Sequence, residues 1–167
     1  MLILETERLI LRKFTLADAS FILELVNTPT WLQFIGEKGV RNSQDAQNYL
    51  KNGSLKCYQE NGFGFYLICG KSTQKPIGMC GFIKRQELED VDLGFAFLPD
   101  YIGKGFGYEI AQATIEYGKD VLKLSRIIAI VDQRNIPSNA LLQKLGFVFE
   151  KTIPFGEKKD LLNLYGI

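Results

Sequence analysis

Between Leu98 and Glu109 the chain reads Leu-Pro-Asp-Tyr-Ile-Gly-Lys-Gly-Phe-Gly-Tyr-Glu, with glycine at 103, 105 and 107. Alternating residues from Val91 to Leu98 read as a strand. Beyond Glu109, the spacing of Ile110, Ala111, Thr114, Tyr117 and Val121 predicts a helix to about Leu122. The glycines therefore stand where a strand turns into a helix. Glycine takes positive φ without steric cost and lets a ligand approach the backbone with no Cβ in the way. The first N–H groups of a helix lack intrahelical acceptors, and the helix dipole favours an anion there. Such a turn suits a pyrophosphate. Two common pyrophosphate loops are excluded. A P-loop needs Ser or Thr after its Lys to hold magnesium, and Lys104 is followed by Gly105. A dinucleotide loop, G-x-G-x-x-G, needs glycine where Tyr108 stands, and here the loop follows a hairpin sheet. A glycine-rich turn with no ligand is the plain alternative.

The rest of the chain organises around this loop. Leu9–Lys13 reads as a first strand, and Thr15-Leu-Ala-Asp18 as a capping-box start. Phe21, Ile22, Leu25 and Val26 share one face of a helix that stops before Pro29. Trp31–Ile35 is a short apolar segment after that break. A second helix, capped by Asn42 or Ser43, runs to about Lys51 and ends at Asn52-Gly53. Phe63–Cys69 and Ile77–Lys84 read as a hairpin around a turn at Lys71–Pro76, with Arg85–Asp90 charged and exposed. Arg126–Val131 is a continuous apolar strand of the buried, parallel type. Ser138–Leu145 is a short helix closed by Gly146. Phe147–Thr152 and Leu161–Tyr165 are closing strands, separated by a loop with Pro154 and Gly156. Antiparallel hairpins and one β-α-β crossover must share one sheet. The fold class is α/β (α+β), a mixed, mostly antiparallel sheet with helices on both faces. With no linker or repeat, residues 1–167 are expected to form one domain.

The absence of histidine excludes whole chemistries: no Ser-His-Asp triad, no Cys-His pair and no His-ligated zinc. A general base must be a carboxylate, Lys, Tyr, Cys or a water-mediated group. Cys57, Cys69 and Cys80 form no C-x-x-C pair, and read as buried thiols of a reducing compartment. No metal is expected. The 20 basic and 19 acidic residues balance, so bulk charge gives no reason to expect nucleic acid or an anionic membrane as partner. The N-terminal stretch mixes charges with apolar residues and does not read as a signal peptide, and no apolar run approaches a membrane span. A cytoplasmic location is expected.

Four stretches in this order resemble the GNAT superfamily of N-acetyltransferases, more narrowly its RimJ/RimL-like, ribosomal-protein-alanine type. They are ETERLILRKFTLAD, DLGFAFLPDYIGKGFGYEIAQA, IIAIVDQRN and IPSNALLQKLGF. With the closing strands the resemblance spans essentially the whole chain. It implies a central parallel pair of strands that splay apart, acetyl-CoA as cosubstrate, and a primary amine as acceptor, either a protein N-terminus or a small molecule. One departure is Ile102, where the superfamily loop usually has Gln or Arg. Phosphate binding then rests on the backbone N–H groups of Gly103, Lys104, Gly105, Phe106, Gly107 and Tyr108, with the Lys104 side chain as a helper. The resemblance also implies that Ala96, Phe97 and Leu98 pair their backbone with the pantetheine arm, and that Asn135 and Asn139 lie near coenzyme A.

Acyl transfer needs a base for the ammonium and an acid for the leaving thiolate. In Val91–Leu98, Val91, Leu93, Phe95 and Phe97 alternate to one face, with Asp92, Gly94 and Ala96 on the other. A carboxylate beside two small residues leaves room for a ligand. Family members often carry Glu at this position, and the shorter Asp92 favours proton removal through water. Position 142, where many members have Tyr, is Leu, and the resemblance makes Ser138 the acid. Ser138 also fits an ordinary first helical turn, and Asn135 a cap on the Ser138 N–H. The acceptor site is expected near the first two helices, Trp31, Phe34 and Tyr58. Two readings stay open beside the enzyme: a coenzyme A-binding module without turnover, and transfer of another acyl chain or to another nucleophile. Whether the protein is a monomer or homodimer is not written in the sequence.

Overall fold

The computed structural model describes residues 1–167. One sheet of eight strands runs through the whole chain in the order β1-β2-β3-β4-β5-β6-β8-β7. Its strands are β1 (Leu2–Glu5), β2 (Leu9–Lys13), β3 (Phe65–Gly70), β4 (Pro76–Lys84), β5 (Val91–Phe97), β6 (Ile127–Asp132), β7 (Val148–Phe155) and β8 (Asp160–Gly166). Every neighbouring pair is antiparallel except β5 and β6, the two ends of the β-α-β crossover. The helices are α1 (Ala19–Leu25), α2 (Pro29–Phe34), α3 (Ser43–Leu50), α4 (Lys56–Asn61), α5 (Phe106–Asp120) and α6 (Ile136–Lys144).

Strand alternation divides the core in two. Tyr66 and Ile68 of β3 face one side, with Phe82, Leu93, Ile127 and the α5 residues Ile110 and Ile115. Leu67 and Cys69 face the other, with Phe21, Ile22 and Leu25 of α1, Trp31 of α2, and Ala46 and Leu50 of α3. A period of two in the strands sends successive side chains to opposite faces, and each face needs helices to cover it. The expected fold class is therefore the observed one. The capping start at residue 15 also forms: the Thr15 N–H donates to the Asp18 carboxylate at 2.8 Å, and Arg12 grips that carboxylate with two nitrogens at 2.7 and 2.9 Å.

Four local expectations are corrected. Leu2–Glu5 forms an extra edge strand on β2. Pro29 begins α2 rather than leaving a non-helical segment, because proline at the first helical position has no N–H to satisfy and a suitable φ. Asn52-Gly53 kinks the chain instead of ending the helix. One wide turn at Lys51–Leu55, with Gly53 off helical geometry, leads into α4, which ends at Gly62 in the left-handed region. Pro154 lies within β7, not in a loop, because β7 is the edge of the sheet and pairs only on its β8 side.

Candidate active site

The glycine turn is the mouth of the site. After a short 3-10 turn at Pro99–Tyr101, Gly103 and Gly105 have φ of +78° and +80°, and Gly105 is the residue before α5. Both are left-handed conformations that strain any side chain with a Cβ. The helix begins at Phe106, three residues before the expected Glu109, so its free N–H groups lie within the glycine motif itself. The loop is fastened to the turn between β1 and β2. The Arg8 guanidinium donates to the Lys104 carbonyl at 3.0 Å and to Glu109 at 2.7 Å, and lies over the Phe106 ring at 4.4 Å. The Arg8 backbone N–H and the Thr6 hydroxyl donate to the other Glu109 oxygen at 2.9 and 2.6 Å. Partial burial pushes the Glu109 carboxyl up, but these donors outweigh it and hold it below its usual range.

The parallel strands supply the cleft. β5 and β6 pair only at Val91–Ile127 and Asp92–Ile128, although both run on by four residues or more. Beyond Asp92 the facing edges have no strand partner, the expected splay. The Leu98 N–H is bonded to Ile77 of β4 at 2.9 Å, so by strand alternation the N–H groups of Phe95 and Phe97 face the gap. A cavity of about 650 Å³ runs from the loop along this edge, with Phe97, Gly103, Gly105, Tyr108 and Ser138 in its walls. A second, of about 280 Å³, holds Asp92, Gly94, Arg85 and Lys38. The two share Ala96, Asn135 and Ser138.

Asp92 is 2% exposed and lies opposite Ile83 on β4 with no bulge, so its alternation is undisturbed. One carboxylate oxygen accepts from Arg85 Nε at 2.7 Å, and the other has no partner. Burial raises its pKa to about 6, against the pull of Arg85. Ser138 is half-buried at the start of α6. Its backbone N–H donates to Asn135 Oδ1 at 3.3 Å, the cap read from the sequence, while its hydroxyl makes no hydrogen bond within the protein.

Ala96, Phe97, Gly103, Gly105, Gly107, Tyr108 and Asn135 all face the larger cavity. Leu98, Lys104, Phe106 and Asn139 are outside its walls. The Lys104 ammonium sits over the Tyr101 ring at 5.8 Å. The Asn139 side chain is fully engaged, donating to the Asp132 and Asn135 carbonyls and accepting from Asn163 and Tyr165. Trp31 and Phe34 border both cavities. Tyr58 borders neither; it stacks on Tyr66 at 5.5 Å and bonds the Phe65 carbonyl. The Cys80 thiol is buried beside Thr114 and pushed up to about 12 by burial, which leaves no nucleophile there. No three His, Cys, Asp or Glu side chains gather as a metal site, and no helix is long and apolar enough to cross a membrane. Sequence reasoning missed Arg8, Glu109 and Arg85. For Arg85 a signal existed: the strands that set Ile83 against Asp92 bring the start of their connection back over that carboxylate.

A mixed sheet splayed at its one parallel pair, with a glycine turn into a helix at the open end, is the architecture of an acyl-group transferase. The chain belongs to the acetyltransferase (GNAT) domain family, whose model matches residues 8–148, and the protein is an acetyltransferase. An uncharacterized N-acetyltransferase, p20 of Bacillus licheniformis, is 34% identical over 168 residues, covering 97% of this chain and 92% of that protein. Among solved structures, RimL, a ribosomal L7/L12 α-N-protein acetyltransferase in complex with coenzyme A, matches with a TM-score of 0.85 at 18% identity, over 100% of this chain and 97% of that one. Spermidine N-acetyltransferase from Vibrio cholerae, in complex with CoA and spermine, matches with a TM-score of 0.79 at 19% identity, over 95% and 94%. At these identities the two structures speak for the fold.

Proposed function

We propose that residues 1–167 act as one N-acetyltransferase domain that moves the acetyl group of acetyl-CoA to a primary amine, in the manner of the RimJ/RimL-like type. The carrying observation is that two cavities meet at Ala96 and Ser138, one beneath a helix N-terminus and one holding a buried carboxylate. The residues present fit coenzyme A. Gly103 and Gly105 leave the loop surface bare, and a Cβ at Gly107 would come within 3.0 Å of Leu141. The N–H groups at the start of α5 suit the pyrophosphate, and the free β5 edge suits the pantetheine amides. The two solved neighbours bound to coenzyme A share this fold.

Each step then has a residue. A β5 N–H facing the gap polarises the thioester carbonyl. Asp92, directly or through a water, takes one proton from the acceptor ammonium. The amine nitrogen bonds to the carbonyl carbon and the carbon–sulfur bond breaks. Ser138 gives its hydroxyl proton to the departing sulfur, and the second proton of the nitrogen replaces it. The products are the N-acetylated acceptor, coenzyme A and a proton held at Asp92 for release to solvent.

Titration calorimetry with acetyl-CoA, followed by thiol release against small amines and N-terminal peptides, tests this reading. Saturable binding with acceptor-dependent thiol release is expected. No binding would overturn it, and binding without release for any acceptor would favour an inert coenzyme A module.

A further inference from the structure

The charges around the smaller cavity are not all paired. Four charged side chains line it: Lys38, Arg85, Asp92 and Asp132. Asp132 is taken by Arg134, through two guanidinium nitrogens at 3.0 and 2.7 Å and its backbone N–H at 2.8 Å. Asp92 is taken by Arg85 Nε. Lys38 has no anionic partner: the neighbouring Glu37 faces Arg41 and the Gly39 N–H. Asp45, in an adjoining outer cavity that Lys38 also borders, accepts from the Arg41 N–H. Arg85 is half engaged. Its Nε holds Asp92, its guanidinium lies over the Phe155 ring at 5.4 Å, and its two terminal nitrogens have no acceptor. Partial burial of the ammonium, and then the Arg85 charge, hold Lys38 below its usual range, although the residue as a whole is exposed.

A guanidinium is a rigid planar fork. When its Nε points at one carboxylate, its terminal nitrogens offer a second anion site a few ångströms away. Asp92, as the proton acceptor, becomes neutral during transfer, which leaves Arg85 and Lys38 both uncompensated. A polycation would add charge to that excess, whereas an acceptor with its own anion would neutralise it. Apart from Tyr49, Asn135 and Ser138, the remaining walls are apolar, among them Trp31, Phe34, Met79, Phe155 and Leu162. A cavity of about 280 Å³ suits a molecule of amino-acid size.

Resting on the acetyl-transfer reading above, we propose that the acceptor is a free amino acid or close analogue with an apolar side chain. Its amine meets Asp92, and its carboxylate meets the terminal nitrogens of Arg85 and the Lys38 ammonium. A peptide N-terminus lacks that carboxylate close to its amine, and a polyamine lacks it altogether.

The test measures thiol release from acetyl-CoA with each apolar L-amino acid, its C-terminal amide, a peptide beginning with it, and spermidine. At least one free acid should be acetylated with a KM about tenfold or more below that of its amide, the scale of one charge-assisted hydrogen bond. Lys38→Gln should erase most of that preference while leaving calorimetric affinity for acetyl-CoA unchanged. Arg85→Lys, which keeps the charge but loses the fork, should also narrow it. Amides, peptides or spermidine serving as well as the acids would overturn the proposal, as would a preference untouched in Lys38→Gln. If no acceptor releases thiol, thermal unfolding with saturating coenzyme A replaces the kinetic readout. Stabilisation by an acid and not its amide supports the proposal, and equal responses overturn it. Failure of acetyl-CoA itself to bind would instead sink the transferase reading.

Discussion

In its proposed role as base, Asp92 carries opposite burdens: it is a buried acid that must ionise to work. Its pKa in the fold, about 6, lies above the ordinary 3.8 because burial disfavours the charge more than Arg85 restores it. As a base it works when ionised, so turnover should rise as pH passes through about 6 and then level. Asp92→Asn should lower turnover by about a hundredfold, the scale of one general base, and abolish that limb. Arg85→Gln removes a group that lowers the pKa, so the limb should move to higher pH. Stability carries the opposite sign. The contribution of a group with a raised pKa is fully present below its unfolded value and lost as pH rises through the folded one. Denaturant melts at pH 4 and pH 7 should show Asp92→Asn gaining on the wild type, by on the order of 3 kcal/mol. The Tyr66 hydroxyl is buried without a partner, so Tyr66→Phe should leave the melting temperature unchanged or raise it. The alternation around Asp92 could be read from residues 91–98 because strand period is local. The ion pair to Arg85 could not, because Arg85 belongs to a stretch whose composition says only that it is charged.

At the scale of elements, the loop owes its shape to a distant segment. Thr6 and Arg8 reach across more than ninety residues of sequence to hold Glu109 and the Lys104 carbonyl. Glu109→Ala removes three of those bonds at once. It should weaken acetyl-CoA binding by about tenfold, equivalent to ~1.4 kcal/mol, with little change in turnover at saturation, measured by calorimetry and steady-state kinetics. The glycine turn was evident in the sequence because its chemistry is local: three glycines, a strand before, a helix after. Its fastening was not, since no spacing rule connects residue 8 to residue 109. The same limit explains the helices over the site. Pro29 and Gly53 are ambiguous punctuation, able to start, kink or end a helix, and packing of Trp31 and Leu50 on the sheet decides which.

At the scale of the whole molecule, the layers followed from the order of elements, since a mixed sheet with two apolar faces admits few arrangements. The splay followed only from the family resemblance, because nothing in residues 127–132 says where pairing with β5 stops. That break has a further consequence. The five strands β1 to β5 and the three strands β6, β8 and β7 form two plates joined through two rungs, Val91–Ile127 and Asp92–Ile128. A plate seam with so few hydrogen bonds breathes more readily than the strands flanking it. In the proposed pose, an amide-bearing ligand laid along the β5 edge would supply the missing rungs and act as mortar as well as reactant. Hydrogen–deuterium exchange should then be fast at the Phe95 and Phe97 N–H groups, which face the gap, in the free protein and slow once coenzyme A is present. If the thioester stiffens the wall that the amine meets, initial-rate kinetics with both substrates varied should fit an ordered pattern with acetyl-CoA first.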